Sequence, residues 1–472
     1  MKMLIALSVI YFFFILTFYS AAASDDLQEP YRGWKAGVAS VVITPEESMW
    51  MAGYAARNRP SEGTLHDLWA KALALEDSNG ERAILVTKDL IGFRGAYMAD
   101  RICNRLKEKY GLSRAQVILS SSHTHTGPEL TSTPDGYLLE EANGPYSPEQ
   151  WDKIRQYSEK LEDQIVALVG KALDSLVPVQ IYSGNGVARF AVNRRNNVEA
   201  TLNSSTQLTG PVDHSVPVVK VAKTSGELLA VVFGYACHAT VLSFYKWSGD
   251  YPGFAQIALE DAFPGTTAMF FAGAGADQNP LPRRTVGYAR QYGKTLALAV
   301  EAIISEPMRE LSPNLTTAYS KVDLKFANPP PTEDELLQIL EEDSGYPEYL
   351  KDRAKLLLAQ LEKGMSLMTS YPYTVQFWKI GEQNIAVLSG EVVVDYSIKL
   401  KQIFGEDLFV MAYANEGMGY IPSIRVLSEG GYEGSRSAIF TTPWAPDIEI
   451  NIILEVIKLA KKAGEYHYLN QD

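Results

Sequence analysis

Short apolar runs that stop abruptly in polar clusters punctuate the chain, and this pattern leaves few folds open to it. Ala83–Thr87 runs into Lys88-Asp89, Val117–Leu119 into SSSHTHTGPE, Leu228–Phe233 into GYACHAT, Ala268–Phe271 into AGAGADQNP, Ile385–Leu388 into SGEVV and Leu408–Ala412 into YANEGMGY. Runs of this length, rich in Val, Ile and Phe, read as strands. Between them lie stretches with helical spacing of apolar residues, over Ser147–Leu176, Thr285–Ile304 and Ile448–Ala463. The alternation implies the α/β class, with mixed β-sheets flanked by helices in a single large domain. Open α/β sheets bind ligands beyond the carboxyl ends of their strands, so the six polar tails are candidates for one shared site.

The sharpest internal boundary is Asn328-Pro329-Pro330-Pro331, followed by Thr332 and Glu335 in a capping-box pattern. Strand signals resume only at Tyr373–Trp378, so residues 328–365 read as a helical insertion within one catalytic unit. At the N-terminus, Lys2, the uncharged run Leu4–Tyr19 and Ala21-Ala22-Ala23 follow the order of a cleaved secretory signal. An uncleaved anchor is the alternative reading of that run. Signal removal after Ala23 leaves residues 24–472 as an exported chain, periplasmic or secreted, with no stable membrane span.

Composition narrows the chemistry. With 43 Lys and Arg against 56 Asp and Glu, the net charge of −13 argues against nucleic acid as a partner, since phosphate binding needs clustered positive charge. Cys103 and Cys237 are the only cysteines, too few for a zinc-thiolate site, so any metal must rest mainly on His, Asp, Glu or Tyr. A free buried thiol is the expected state of Cys237.

His123 and His125 are two residues apart, which in an extended segment puts both imidazoles on one side. Such a pair at a strand end suits metal ligation, or one ligand beside one catalytic imidazole; two histidines hydrogen-bonded in a polar turn is the plainer alternative. His238 sits after a second strand. Glu391, embedded in AVLSGEVVV, is costly to bury unless it is paired or bound to a metal. Asp89, Asp250 and Asp277 lie in strand-end loops and are candidates to orient ligands. Gly287 to Thr295 resembles a phosphate loop but has five residues between its glycines where the motif needs four. No G-x-S-x-G elbow is present, which weakens a serine-hydrolase reading.

SSSHTHTGPE resembles the T-H-T-H-S-G-P motif of the neutral and alkaline non-lysosomal ceramidases, secreted zinc amidases that split ceramide into sphingosine and fatty acid. Other segments follow in the family's order. Ala191-Val-Asn193-Arg194 is similar to its N-x-N-R stretch, and GYACHATVL to the segment bearing its second zinc histidine. Ser248-Gly-Asp250-Tyr-Pro-Gly253 is similar to S-D-N-x-G, SGEVV to G-E-F-T, and Asn415 to Ile421 to N-x-x-x-x-Y-I, with Tyr432-Glu433 following as the family's Y-E pair.

The resemblance, from about Gly37 to Ser437, implies a zinc ion held by His123, His238, Glu391 and Tyr420. It places His125 and Arg194 on the catalytic side and Tyr432 against the substrate amide. The implied activity is hydrolysis of the N-acyl amide of ceramide, or of a related small amphiphilic N-acyl lipid, by zinc-activated water. Where the family has G-D-x-S-P-N, this chain has Ala276-Asp277-Gln278-Asn279-Pro280, so the serine is absent. The chain also ends soon after its last helix, without the immunoglobulin-like domain of longer ceramidases, which leaves ceramide itself less specified than the reaction class. A zinc hydrolase for another amide or ester, and a non-catalytic binding protein on the same fold, are the alternatives.

Overall fold

Twelve strands carry the architecture: β1 (Trp34–Val42), β2 (Trp69–Glu76), β3 (Arg82–Lys88), β4 (Val117–Ser121), β5 (Val177–Val187), β6 (Ser215–Lys223), β7 (Leu228–Tyr235), β8 (Thr267–Ala272), β9 (Leu315–Lys325), β10 (Ser370–Ile380), β11 (Gln383–Ser389) and β12 (Phe409–Ala414). The structure is a computed structural model. It describes residues 31–131, 146–341, 344–346, 348–435 and 443–465; the signal sequence read over residues 1–23 lies outside the described residues. The strands join in the order β8-β7-β6-β5-β1-β2-β3-β4-β12-β11-β10-β9, with a short strand, Arg309–Glu310, added beside β5. The pairs β8·β7, β3·β4 and β11·β12 are parallel and the others antiparallel, so the sheet is mixed, as the α/β reading expects.

The sheet curls so that β8 packs against β4 and β12 from its other half. An inner core drawn from strands and their loops fills the space between the halves, with Leu73, Leu85, Ile118, Val219, Val232, Phe271, Val387 and Phe409. Alternate residues of the same strands point outward, under helices. Ala72, Val86 and Leu119 meet Ile102 of Tyr97–Tyr110 and Ile165 of Pro148–Asp174, while Val218, Phe233 and Phe270 meet Leu259, Leu296 and Leu400. Strands buried on both faces explain why the runs are continuously apolar instead of alternating.

Helix boundaries follow the local chemistry. Ser147 accepts a hydrogen bond from the Gln150 amide ahead of Pro148–Asp174, and Thr285 accepts one from Tyr288 ahead of Val286–Ile304, so the segment Gly287–Thr295 is ordinary helix. Thr332 and Glu335 make the reciprocal capping box expected of them. The helices Glu333–Leu340 and Glu348–Glu362 lie between β9 and β10, which are antiparallel neighbours, so the chain leaves the sheet and returns beside its point of departure. Cys103 and Cys237 are both buried and free. No helix among the described residues is long and apolar enough to cross a membrane.

One contact tests this packing. A Cβ on Gly37 of β1 would fall 2.1 Å from the Ala172 carbonyl oxygen of the overlying helix, a backbone atom that cannot move alone. Gly37→Ala is expected to lower unfolding stability by about 1–3 kcal/mol in urea titration, through overpacking of the strand–helix contact; an unchanged midpoint would contradict this placement.

Candidate metal centre

Each candidate ligand sits just past a strand end, in a loop whose backbone is tightly held. His123 follows β4 with φ +58°, a left-handed conformation that costs a β-carbon-bearing residue energy and persists only where the surroundings impose it. They do so through Thr124 and Thr126, whose hydroxyls both donate to the Ser248 carbonyl, at 2.8 and 2.6 Å. Anchored to one carbonyl, these threonines hold the turn that carries both imidazoles. Gly53, at φ +101°, lies so close to the His125 ring that a Cβ there would stand 2.6 Å from it, so only glycine fits beside this imidazole.

The tautomers follow from main-chain partners. His123 Nδ1 donates to the Ile91 carbonyl at 2.7 Å, in the loop after β3, and His238 Nδ1 donates to the Gly275 carbonyl at 2.9 Å, in the loop after β8. In both rings Nε2 is therefore the lone-pair nitrogen. Glu391 Oε2 lies 3.4 Å from His123 Nε2 and 3.4 Å from His238 Nε2. His238 Nε2 and Glu391 Oε2 are buried with no hydrogen-bond partner. Buried polar atoms are rarely left so, and two lone-pair donors facing one point match what a cation would satisfy.

His125 brings its Nε2 within 3.2 Å of His123 Nε2, and ligand atoms of His123, His125 and His238 all lie within 4.8 Å of one another, a group able to bind a metal. Charge states suit that use. Burial, reinforced by the Arg194 guanidinium, pushes His238 down to about 4, and burial with the neighbouring imidazoles pushes His125 well below its ordinary value. Burial opposes ionisation of Glu391, but His123 and His238 outweigh it and hold the carboxyl well below the usual range. Near neutral pH, His238 and His125 are neutral imidazoles and Glu391 is an anion, as a metal site requires.

Tyr420 enters from the loop after β12. Its backbone pairs in parallel register with Glu391, which delivers the two side chains together. Its hydroxyl accepts from Arg194 Nη2 at 3.1 Å, and Arg194 is fixed in turn by Glu433 at 2.8 Å. Tyr432 stands at the mouth, 55% exposed, with its ring 5.1 Å from that of Tyr420. The structure thus gathers His123, His125, His238 and Glu391 into one buried cluster, with Arg194, Tyr420 and Tyr432 along its open side.

The carboxylates expected to orient ligands do something different. Asp277 accepts from the Val394 amide and from Asn193, Asp250 accepts from the amides of Val241, Leu242 and Tyr251, and Asp89 accepts from the Trp69 amide and Gln256. They pin the loops, while main-chain carbonyls orient the imidazoles. Sequence reading also missed Asn279 and Glu433 as partners of Arg194. Glu433 is adjacent to Tyr432 in the family's Y-E pair and was legible there; Asn279 stands where the family's G-D-x-S-P-N has its serine, and was read there only as the loss of that serine.

Similarity to known proteins agrees with this geometry. Residues 34–326 match the family model described as neutral/alkaline non-lysosomal ceramidase, N-terminal. The neutral ceramidase of Pseudomonas aeruginosa is 27% identical over 241 residues, 48% of this chain and 33% of that protein. That of Drosophila melanogaster is 25% identical over 242 residues, 49% of this chain and 32% of that protein. The aligned part is thus about a third of the length of these curated relatives. Among solved structures, a ceramidase complexed with C2 superposes with a TM-score of 0.71 at 18% identity, covering 92% of this chain and 76% of that one. The P. aeruginosa neutral ceramidase crystal structure gives 0.70 at 19% identity, covering 92% and 75%.

If the cluster is a metal centre, elemental analysis of the purified protein should find about one equivalent of a divalent cation, and His238→Ala or Glu391→Ala should reduce it to near background. Both variants retaining full occupancy would exclude these side chains as ligands.

Proposed function

The chain belongs to the neutral/alkaline non-lysosomal ceramidase family, and on that premise we propose that it is a zinc-dependent amidohydrolase cleaving the N-acyl amide of ceramide or a related N-acyl lipid. The observation that carries the reading is the convergence of His123, His238 and Glu391 on one buried point, with His238 Nε2 and Glu391 Oε2 lacking any other partner. Two imidazoles, a carboxylate and the phenol of Tyr420 form a donor set suited to zinc. Zinc bound there supplies Lewis acidity for the acyl carbonyl and lowers the pKa of water to about 7.

The chain's own groups have distinct tasks. His125, kept neutral by burial and with its ring 4.9 Å from that of His123, accepts a proton and returns it to the departing amine. Arg194 keeps its charge: it is buried, but Tyr420 and Glu433 hold its proton in place. Its contacts with Tyr420, Glu433 and Asn279 fix the guanidinium before substrate arrives, so its remaining N–H groups can stabilise the developing oxyanion without reorganising. Tyr432, half exposed at the mouth, would contact the substrate amide, a role supported by its exposure beside Tyr420. We further propose that residues 24–472 form one hydrolase domain with 328–365 as an insertion, and that the chain is exported by residues 1–23.

His125 and the ligand set are separable by experiment. His125→Ala should retain zinc while kcat for N-acyl amide hydrolysis falls by about 10²–10⁴-fold, the usual weight of a general acid–base group. Loss of zinc in that variant would make His125 a ligand. Absence of amide hydrolysis by the zinc-loaded wild type, across ceramides of several chain lengths and other N-acyl amides, would refute the amidase reading.

A further inference from the structure

One buried amide near Arg194 differs from its neighbours. Asn193, Asn197, Gln278 and Asn279 are all buried, and the first three engage both ends of the carboxamide in holding the chain. Asn193 donates to the Pro211 carbonyl and to Asp277 and accepts from the amides of Arg195 and Asn196. Asn197 donates to the carbonyls of Asn193 and Thr209 and accepts from the Thr209 amide. Gln278 donates to the Ala236 carbonyl and accepts from the Asp213 amide. Asn279 uses only its oxygen, which accepts from Arg194 Nη1 at 3.4 Å. Its Nδ2 meets no acceptor among the described residues, although the residue is only 4% exposed. Buried donors are rarely left so, which marks this one for a partner the folded chain does not supply.

The direction of that nitrogen is fixed in advance. A guanidinium only donates, so the carboxamide must present its oxygen to Arg194, and turning it over would set N–H against N–H. The backbone agrees: Gln278–Pro280 pairs with Ala191–Asn193, so one short ladder carries Asn279 and ends beside Arg194. Asn279, Arg194 and Tyr432 line a cavity of about 450 Å³. The carboxamide therefore sits in the cavity wall, held by the same guanidinium that meets the Tyr420 hydroxyl beside the metal cluster. The serine of the family's G-D-x-S-P-N stretch, which Asn279 replaces, would have one proton to give. The carboxamide accepts from Arg194 and still has two N–H groups.

We propose that Asn279 is a catalytic residue whose Nδ2 donates to the acyl oxygen of the substrate as that oxygen becomes negative, beside Arg194. The proposal rests on the amidase reading for the identity of the oxygen. When water adds to the acyl carbon, the C=O π pair moves onto the oxygen, which then accepts more strongly than the ground-state carbonyl. When the C=O re-forms, the C–N bond breaks and the amine leaves with the proton returned by His125. Asn279 neither gains nor loses a proton, and its orientation needs no adjustment during the reaction.

Asn279→Asp separates donation from support of Arg194, because a carboxylate keeps the contact with the guanidinium but has no N–H to give. With zinc-loaded protein and N-octanoylsphingosine, Asn279→Asp and Asn279→Ala should each lower kcat by about 10²-fold, with KM within about twofold and zinc content unchanged. The Kd for N-ethyl octylphosphonamidate, an anionic tetrahedral mimic of the hydrated amide, should rise by about tenfold or more in both variants, read by calorimetry. Wild-type kcat in Asn279→Asp would reduce Asn279 to a support for Arg194 and overturn the proposal, as would a loss confined to KM or one that follows loss of zinc. If Asn279→Asp does not fold, Asn279→Ala decides through kcat, KM and phosphonamidate affinity. Hydrolysis of no N-acyl amide by the wild type refutes the amidase reading, and the phosphonamidate affinities still decide whether Asn279 donates to an anionic oxygen. Hydrolysis with a phosphonamidate affinity indifferent to Asn279 overturns the donor and leaves the amidase standing.

Discussion

The site depends on two hydrogen bonds from imidazole Nδ1 atoms to main-chain carbonyls, His123 to Ile91 and His238 to Gly275. Each consumes one ring nitrogen and so commits the other, as a lone pair, to the same buried point as the Glu391 carboxylate. Without a cation that point is expensive, because unpaired polar atoms away from water forfeit their hydration. The strand-end loops therefore have to be held against their own tendency to open towards solvent. Asp277 ties the loop after β8 to the segment following Glu391, Asp250 ties the turn after His238 to the helix Asp250–Ala262, and the Ser248 carbonyl gathers both threonines of the His123 loop.

A curled mixed sheet serves this requirement well. Packing β8 against β4 and β12 brings together strand ends that lie far apart in the pairing order, so residues from four separate loops meet without long connections. The inner core is built from strand and loop residues alone and gives the loops a rigid base, as atomic precision at a metal site demands.

Much of this was legible in the sequence, for identifiable reasons. The six apolar runs that end in polar clusters are strands because both of their faces are buried, and continuous apolar composition is the signature of that environment. By contrast β5, VPVQIYSGNGV, has a proline, two glycines and an asparagine and reads locally as a turn. It is a paired strand because Gly184 and Gly186 let the helix Val286–Ile304 approach: a Cβ at these positions would stand 2.9 Å from Ile303 and from the Ala299 carbonyl. That demand comes from a segment more than a hundred residues away. The histidines and Glu391 stood out because their residue types are costly at strand ends. Arg194, Tyr420 and Tyr432 emerged only through family resemblance, and the carbonyls of Ile91 and Gly275 have no side-chain signature at all.

The two halves of the site obey opposite electrostatic rules, and Arg194 is where they meet. Around His123, His238 and Glu391, burial suppresses imidazolium charge and leaves donor atoms for a cation. In the adjoining cavity, three guanidinium groups are ion-paired with carboxylates: Arg194 with Glu433, Arg195 with Glu433 and Glu429, and Arg283 with Glu199. Arg194 lowers the proton affinity of His238 while its own hydrogen bonds to Tyr420 and Glu433 hold it in place.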